Sequence, residues 1–174
     1  LDWLCEKHDT EDKSSNTLEF LYLIYVKSIK GSFANFVNLR SLEFSNCSDI
    51  EIYPGMLNGL KNLKSLDLSN CKIASTEGIF DGLTKLEKLK MVKANSWPPK
   101  PIENLSFSSL NNLIELDLSE NVLKITKDTF SSLGKLKCLK LKSCLLSKLD
   151  DDVLMPLKSL EELDLSYNMF LEIK

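Results

Sequence analysis

The side chains able to do chemistry are few and far apart. The chain holds 174 residues and one histidine, His8, set in the polar run EKHDTEDKSSN (6–16). A Ser-His-Asp or Cys-His relay needs its imidazole beside the nucleophile, and His8 sits in a solvated link. The five cysteines are Cys5, Cys47, Cys71, Cys138 and Cys144. They form no C-x-x-C pair and have no patterned histidine, so zinc-ligand spacing is missing. Asp150, Asp151 and Asp152 are adjacent acids, but calcium needs ligands spread along a loop; the run reads as a solvated turn. The six glycines are scattered and make no phosphate loop. No enzyme, metal or cofactor is expected. Asn46-Cys47-Ser48 and Asn104-Leu105-Ser106 are N-glycosylation sequons.

What must position the remaining polar side chains is a periodic apolar frame. In LIELDLSENVL (113–123), leucines stand at 113, 116, 118 and 123, with Asn121 before the last. The frame recurs with first leucines at 18, 39, 63, 86, 113, 136 and 160, in steps of 21, 24, 23, 27, 23 and 24 residues. This L-x-x-L-x-L-x-x-N-x-L pattern is the leucine-rich repeat signature. One copy cannot bury its own leucines, so copies must stack into a solenoid. The fold class expected is an α/β solenoid, a leucine-rich repeat horseshoe with a parallel concave β-sheet and a mostly irregular convex side. It occupies residues 18–174 as about seven repeats. The motif expected after Lys174 never arrives, so the solenoid is expected to continue beyond it.

A second apolar ladder precedes each repeat. Phe33, Leu57, Phe80, Phe107, Phe130 and Leu154 stand six residues before a first leucine, and Phe36, Leu60, Leu83, Leu110, Leu133 and Leu157 three before it. They are expected to fill the convex side. The Asn position reads Val26, Cys47, Cys71, Ala94, Asn121, Cys144 and Asn168. In this fold an Asn there turns inward to backbone groups that the turn leaves unpaired, and a small thiol fits the same space. Cys47, Cys71 and Cys144 are therefore expected to be buried; Cys138 should face outward. Residues 1–17 are read as a cap and link, with Leu1, Trp3 and Leu4 covering the end of the core. In the first repeat the outward positions Phe20, Tyr22 and Ile24 are apolar. They are either buried under that cap or an exposed patch for a partner. The 27-residue step contains Trp97-Pro98-Pro99-Lys100-Pro101, either a longer convex segment or a loop offering Trp97.

The whole unit, F-x-x-L-x-x-L-x-x-L-x-L-x-x-N/C, resembles the extracellular repeats of Toll and Toll-like receptors and their secreted relatives. GIFDGLTKLEKL (78–89) and TFSSLGKLKCLKL (129–141) carry the likeness. One departure is the N-terminal cap, cysteine-clustered in extracellular members and here holding Cys5 alone. The resemblance implies non-enzymatic protein–protein recognition by a ligand-binding ectodomain fragment of a Toll-like innate immune receptor, or by a secreted immune protein. That implies a glycoprotein outside the cell or at its surface, with a protein ligand or co-receptor and a homodimer as partners. The alternative is a leucine-rich repeat adhesion or scaffold protein outside immunity, inside the cell in one version.

Bulk charge agrees with a protein partner. The net charge is -3 and 43% of residues are hydrophobic, too mixed a balance for nucleic acid or an anionic membrane. No apolar run reaches the roughly 18 residues of a membrane span. The working surface is then the outward side of the strands, because side chains alternate there. Its rungs are striped, either as the consensus filling of the repeat, with opposite charges stabilising adjacent coils, or as a face for a protein ligand with the opposite striping. Lys88, Lys90 and Lys93 are followed by Glu115, Asp117 and Glu120 with Ser119 among them; next come Lys140 and Lys142, then Glu162, Asp164 and Tyr167. These are the candidate ligand-binding residues, with Asn46 and Asn104 as candidate glycan sites.

Overall fold

The computed structural model describes residues 17–94, 100–102 and 104–170. The cap (apart from Thr17), Cys5 and Trp97 lie outside the described residues. In each repeat the L-x-L alternation forces a stretch of extended backbone, the geometry that sends both leucines inward and the residue between them outward. Among the described residues seven strands result: β1 (Phe20–Ile24), β2 (Ser41–Ser45), β3 (Ser65–Asp67), β4 (Lys88–Lys90), β5 (Glu115–Asp117), β6 (Cys138–Lys140) and β7 (Glu162–Asp164). They make one parallel sheet in chain order. Leu42, Leu66, Leu89 and Leu116 stand in register across its middle. The fold is thus the expected leucine-rich solenoid. Its convex side is mostly irregular, with one four-residue helix among the described residues, α1 (Asp151–Leu154). That helix takes part of the Asp150–Asp152 run expected as a turn; Asp152 stays exposed.

The convex ladder has a period of three because its hydrogen bonds do. Leu113 N–H donates to the Leu110 carbonyl (3.0 Å), and Leu110 N–H to that of Phe107 (2.9 Å). The same pair of bonds links Phe33, Phe36 and Leu39 (2.9 and 3.0 Å), and Phe130, Leu133 and Leu136 (3.0 and 2.9 Å). Bonds three residues apart eclipse the side chains they connect, so all three point inward. Phe107 stacks between Phe80 (6.0 Å, 25°) and Phe130 (6.3 Å, 6°). The spine thins at both ends, where Leu18, Leu21, Leu160 and Leu165 are only partly buried.

Each coil leaves its strand through a residue in the left-handed region: Tyr25, Asn46, Asn70, Lys93, Glu120, Ser143 and Tyr167, with φ between 53° and 63°. A side chain there costs about 1–2 kcal/mol. Hydrogen bonds between coils offset that cost. Lys93 N–H donates to the Ser119 carbonyl (3.0 Å), and Glu120 N–H to that of Lys142 (2.8 Å). The next residue locks the turn from inside. Asn121 Nδ2 donates to the carbonyls of Met91 (2.6 Å) and Leu118 (2.8 Å), while its Oδ1 accepts from Ala94 N–H (2.7 Å). Asn168 likewise donates to Leu141 and accepts from Cys144 and Leu146 N–H. Cys47 and Cys144 are buried as expected and donate weakly to the carbonyls of Leu23 (3.3 Å) and Leu118 (3.2 Å). Burial pushes the thiol of Cys71 up to about 12 and that of Cys144 up to about 11. All three behave as small apolar plugs.

Phe107→Ala should lower the unfolding free energy by about 3–5 kcal/mol through the cavity it leaves between two rings. Asn121→Ala should cost about 2–3 kcal/mol by stranding Ala94 N–H and the Met91 carbonyl. Urea titrations check both, and an unchanged midpoint for Phe107→Ala would remove it from the spine.

Candidate binding face

The strands carry the expected charges in register. Glu115 lies between Lys88 and Cys138, and Lys90 between Asp67 and Asp117. Their bonding is uneven. Lys88 Nζ pairs with Glu115 Oε1 at 2.7 Å, and this hydrogen bond and charge hold the ammonium above its usual pKa. Lys140 reaches Glu162 at 3.8 Å, and Lys142 lies 5.0 Å over the Tyr167 ring. Such exposed contacts are screened by solvent and add little stability.

The aspartates turn out to serve the turn. Asp117 Oδ1 accepts from Ser119 N–H (3.0 Å) and Ser119 O–H (2.6 Å). Asp67 accepts from Ser69 N–H and Asp164 from Ser166 N–H, each at 2.9 Å. The Ser166 hydrogen bonds hold the Asp164 carboxyl below its usual value. The D-x-S spacing is therefore a clamp on the strand exit. Ser119, expected to face solvent, is buried by it.

With both neighbouring carboxylates turned to serines, Lys90 has no ion pair among the described residues, although acids flank it on either side. The side chains of Lys93 and Glu120 are exposed and likewise unpaired. Among the described residues these three make no ion pair, and neither do Glu43 and Lys142 on the same face. Sequence reasoning ranked Lys90, Lys93 and Glu120 equally with Lys88, Asp117 and Asp164. The D-x-S spacing is the signal that sets Asp117 and Asp164 apart.

At the N-terminal edge, Phe20, Tyr22 and Ile24 are 54–59% exposed. The cap expected to cover them lies outside the described residues. Cys138 faces outward as expected but is half-buried beside Glu162; burial first, then that carboxylate, raises its thiol pKa. Asn46 is exposed at the exit of β2. Asn104 is exposed too, its amide donating to Glu77 Oε2 (3.1 Å), and its backbone carbonyl accepts from the buried Thr76 hydroxyl (2.9 Å). Among the described residues no acids, thiols or imidazoles gather as metal ligands, and no helix is long and apolar enough to cross a membrane.

Comparison with known proteins agrees with the solenoid fold. A family model described as leucine-rich repeats of plant disease resistance protein RPS2-like type matches residues 13–116, and a leucine-rich repeat model matches residues 122–170. No curated protein matches. Among solved structures, the TLR13–ssRNA13 complex aligns at 28% identity and TM-score 0.63, covering 88% of this chain and 26% of that one. The mouse RP105/MD-1 complex aligns at 23% identity and TM-score 0.69, covering 88% and 27%. An internalin, inlF, from Listeria monocytogenes aligns at 21% identity and TM-score 0.70, covering 91% and 44%. The chain thus spans under half the length of each. It resembles Toll-like receptor ectodomains.

The thiols offer a direct check on this placement. In a Cys5→Ser background, Cys138 should be alkylated in the native state, faster as pH rises past the ordinary thiol range, because a raised pKa withholds the thiolate. Cys47, Cys71 and Cys144 should react only after unfolding. Peptide mass mapping would show it, and native labelling of Cys71 would contradict the buried placement.

Proposed function

The chain belongs to the leucine-rich repeat family, and from that premise we propose that it forms part of the ligand-binding ectodomain of a Toll-like innate immune receptor, or of a secreted immune relative. It recognises a protein ligand or co-receptor by surface contact. The observation that carries this reading is a set of charges without ion pairs on a rigid sheet. Lys90 ends β4, and Lys93 and Glu120 stand at the left-handed exits of β4 and β5, held by backbone bonds between coils. Charges so placed steer encounter and set register more than they add affinity. The nearby Lys88–Glu115 pair is already neutralised and contributes shape.

The likeness to TLR13 and RP105, each solved in complex, supports a binding role, and the mixed charge of this chain favours protein over nucleic acid. An extracellular setting fits the two exposed sequons. A glycan on Asn46 would crowd the face around β2, leaving the rungs from β4 to β6 open. Binding would then centre on Lys90 and Lys93.

Expressed with a secretory leader, the chain should carry glycan at Asn46 and Asn104, lost in Asn→Gln variants and visible by mass spectrometry; unmodified secreted protein would remove this support. For binding, Lys90→Glu with Lys93→Glu should weaken capture of an extracellular ligand by about tenfold or more and flatten its salt dependence. Lys88→Ala should do less. Unaltered affinity and salt response in the double variant would sink the striped-face reading.

A further inference from the structure

A second surface lies on the flank of the solenoid, where the convex return enters the strand. Two columns of side chains cross the coils there. The column just after each first leucine includes Lys64, Glu87, Ile114, Lys137 and Glu161. Its charges neutralise one another, Lys64 with Glu87 at 2.8 Å and Lys137 with Glu161 at 2.7 Å. The column just before the first leucine behaves differently. Lys85 Nζ rests on Asn62 Oδ1 at 2.7 Å, and Lys135 Nζ rests on Asn112 Oδ1 at 2.7 Å. An amide oxygen fixes an ammonium group but brings no opposing charge. Each amide is pinned in turn: Asn62 Nδ2 donates to the Val37 carbonyl (2.9 Å) and Asn112 Nδ2 to that of Thr84 (2.8 Å).

The same device therefore occurs twice, two coils apart, which at the usual strand spacing is about 10 Å. Between the two lysines, where the paired column should carry a charge, stands half-buried Ile114. One open groove is lined by Lys85, Asn112, Ile114, Lys135, Lys64 and Lys137 among others, with Glu87 its one acid among the described residues. So a local excess of positive charge sits on a chain whose net charge is -3.

We propose that this groove docks an acidic amphipathic helix of a partner protein. Two carboxylates on one helix face would meet Lys85 and Lys135, and an apolar side chain between them would cover Ile114. The spacing selects the helix. Seven residues of α-helix rise about 10.5 Å and return to the same face, with the fourth residue on that face between them. Three residues of extended chain span about the same distance but put their end side chains on opposite faces. The surface is separate from the concave face, and its partner need not be the ligand bound there.

The probe is a synthetic helical peptide of about 15 residues with two Glu seven residues apart and Leu at the fourth place between. Titrated against this chain by fluorescence anisotropy, it should bind saturably and more weakly as salt rises. Lys85→Glu with Lys135→Glu should weaken it about tenfold or more, and the milder Lys85→Gln with Lys135→Gln in the same direction. Moving the second Glu to a five-residue spacing should also weaken it, as should Ile114→Ser. Lys90→Glu with Lys93→Glu, on the other face, should change nothing. Affinity indifferent to glutamate spacing or to both lysine pairs overturns the proposal. So does tighter binding of a sulfated oligosaccharide that ignores Ile114→Ser. Melting curves confirm that the variants remain folded.

Discussion

Everything in this molecule depends on one tight event repeated seven times: the backbone must leave the strand through a left-handed residue and still pair its polar groups. The leucines supply the drive to bury, but they do not make the turn. The turn is made by amides that bond the next coil, as at Lys93 and Glu120, and by a small residue directly after it. Where that residue is Asn121 or Asn168, its side chain closes the remaining backbone groups. Where it is Cys47 or Cys144, a weaker thiol bond suffices, because neighbouring coils already hold the geometry. Where it is Ala94, the Asn of the following coil reaches back to serve it. The coils are mutually dependent at the turn as well as in the core.

That dependence organises the charged surface. The D-x-S clamps take Asp67, Asp117 and Asp164 out of the pool of free carboxylates. What remains to meet a partner is decided by turn chemistry rather than by the charge pattern as written. Lys90 is open because its two neighbours in register are occupied elsewhere. On the flank, the pinned Asn62 and Asn112 hold lysines without neutralising them. In both places backbone accounting sets which ions are available.

Most of the architecture was legible in the sequence because it is periodic. The first leucines and the three-residue convex ladder predict the parallel sheet, its register and the stacked rings of Phe80, Phe107 and Phe130. The inward cysteines were legible because they occupy the Asn position. The left-handed turn was not, since Tyr25, Lys93, Glu120 and Tyr167 are not residues that announce it. The burial of Ser119 was hidden for a related reason: its hydroxyl closes on Asp117 two residues away, a local bond that alternation cannot reveal. Nor does alternation say which lysine is neutralised. Lys88 lies beside Glu115, which pairs with it, whereas the neighbours of Lys90, Asp67 and Asp117, are bonded to serines.

The seven left-handed strand exits hold Tyr, Asn, Asn, Lys, Glu, Ser and Tyr. Within one chain, then, the most constrained backbone site accepts aromatic, amide, cationic, anionic and hydroxyl side chains. Its conformation is enforced from outside, by the coils on either side, and not by the residue placed there. These positions also sit at the rim of the outward face. The scaffold thus decouples shape from lettering where a partner would touch it. A lineage can rewrite its surface one coil at a time at these sites while every turn stays closed.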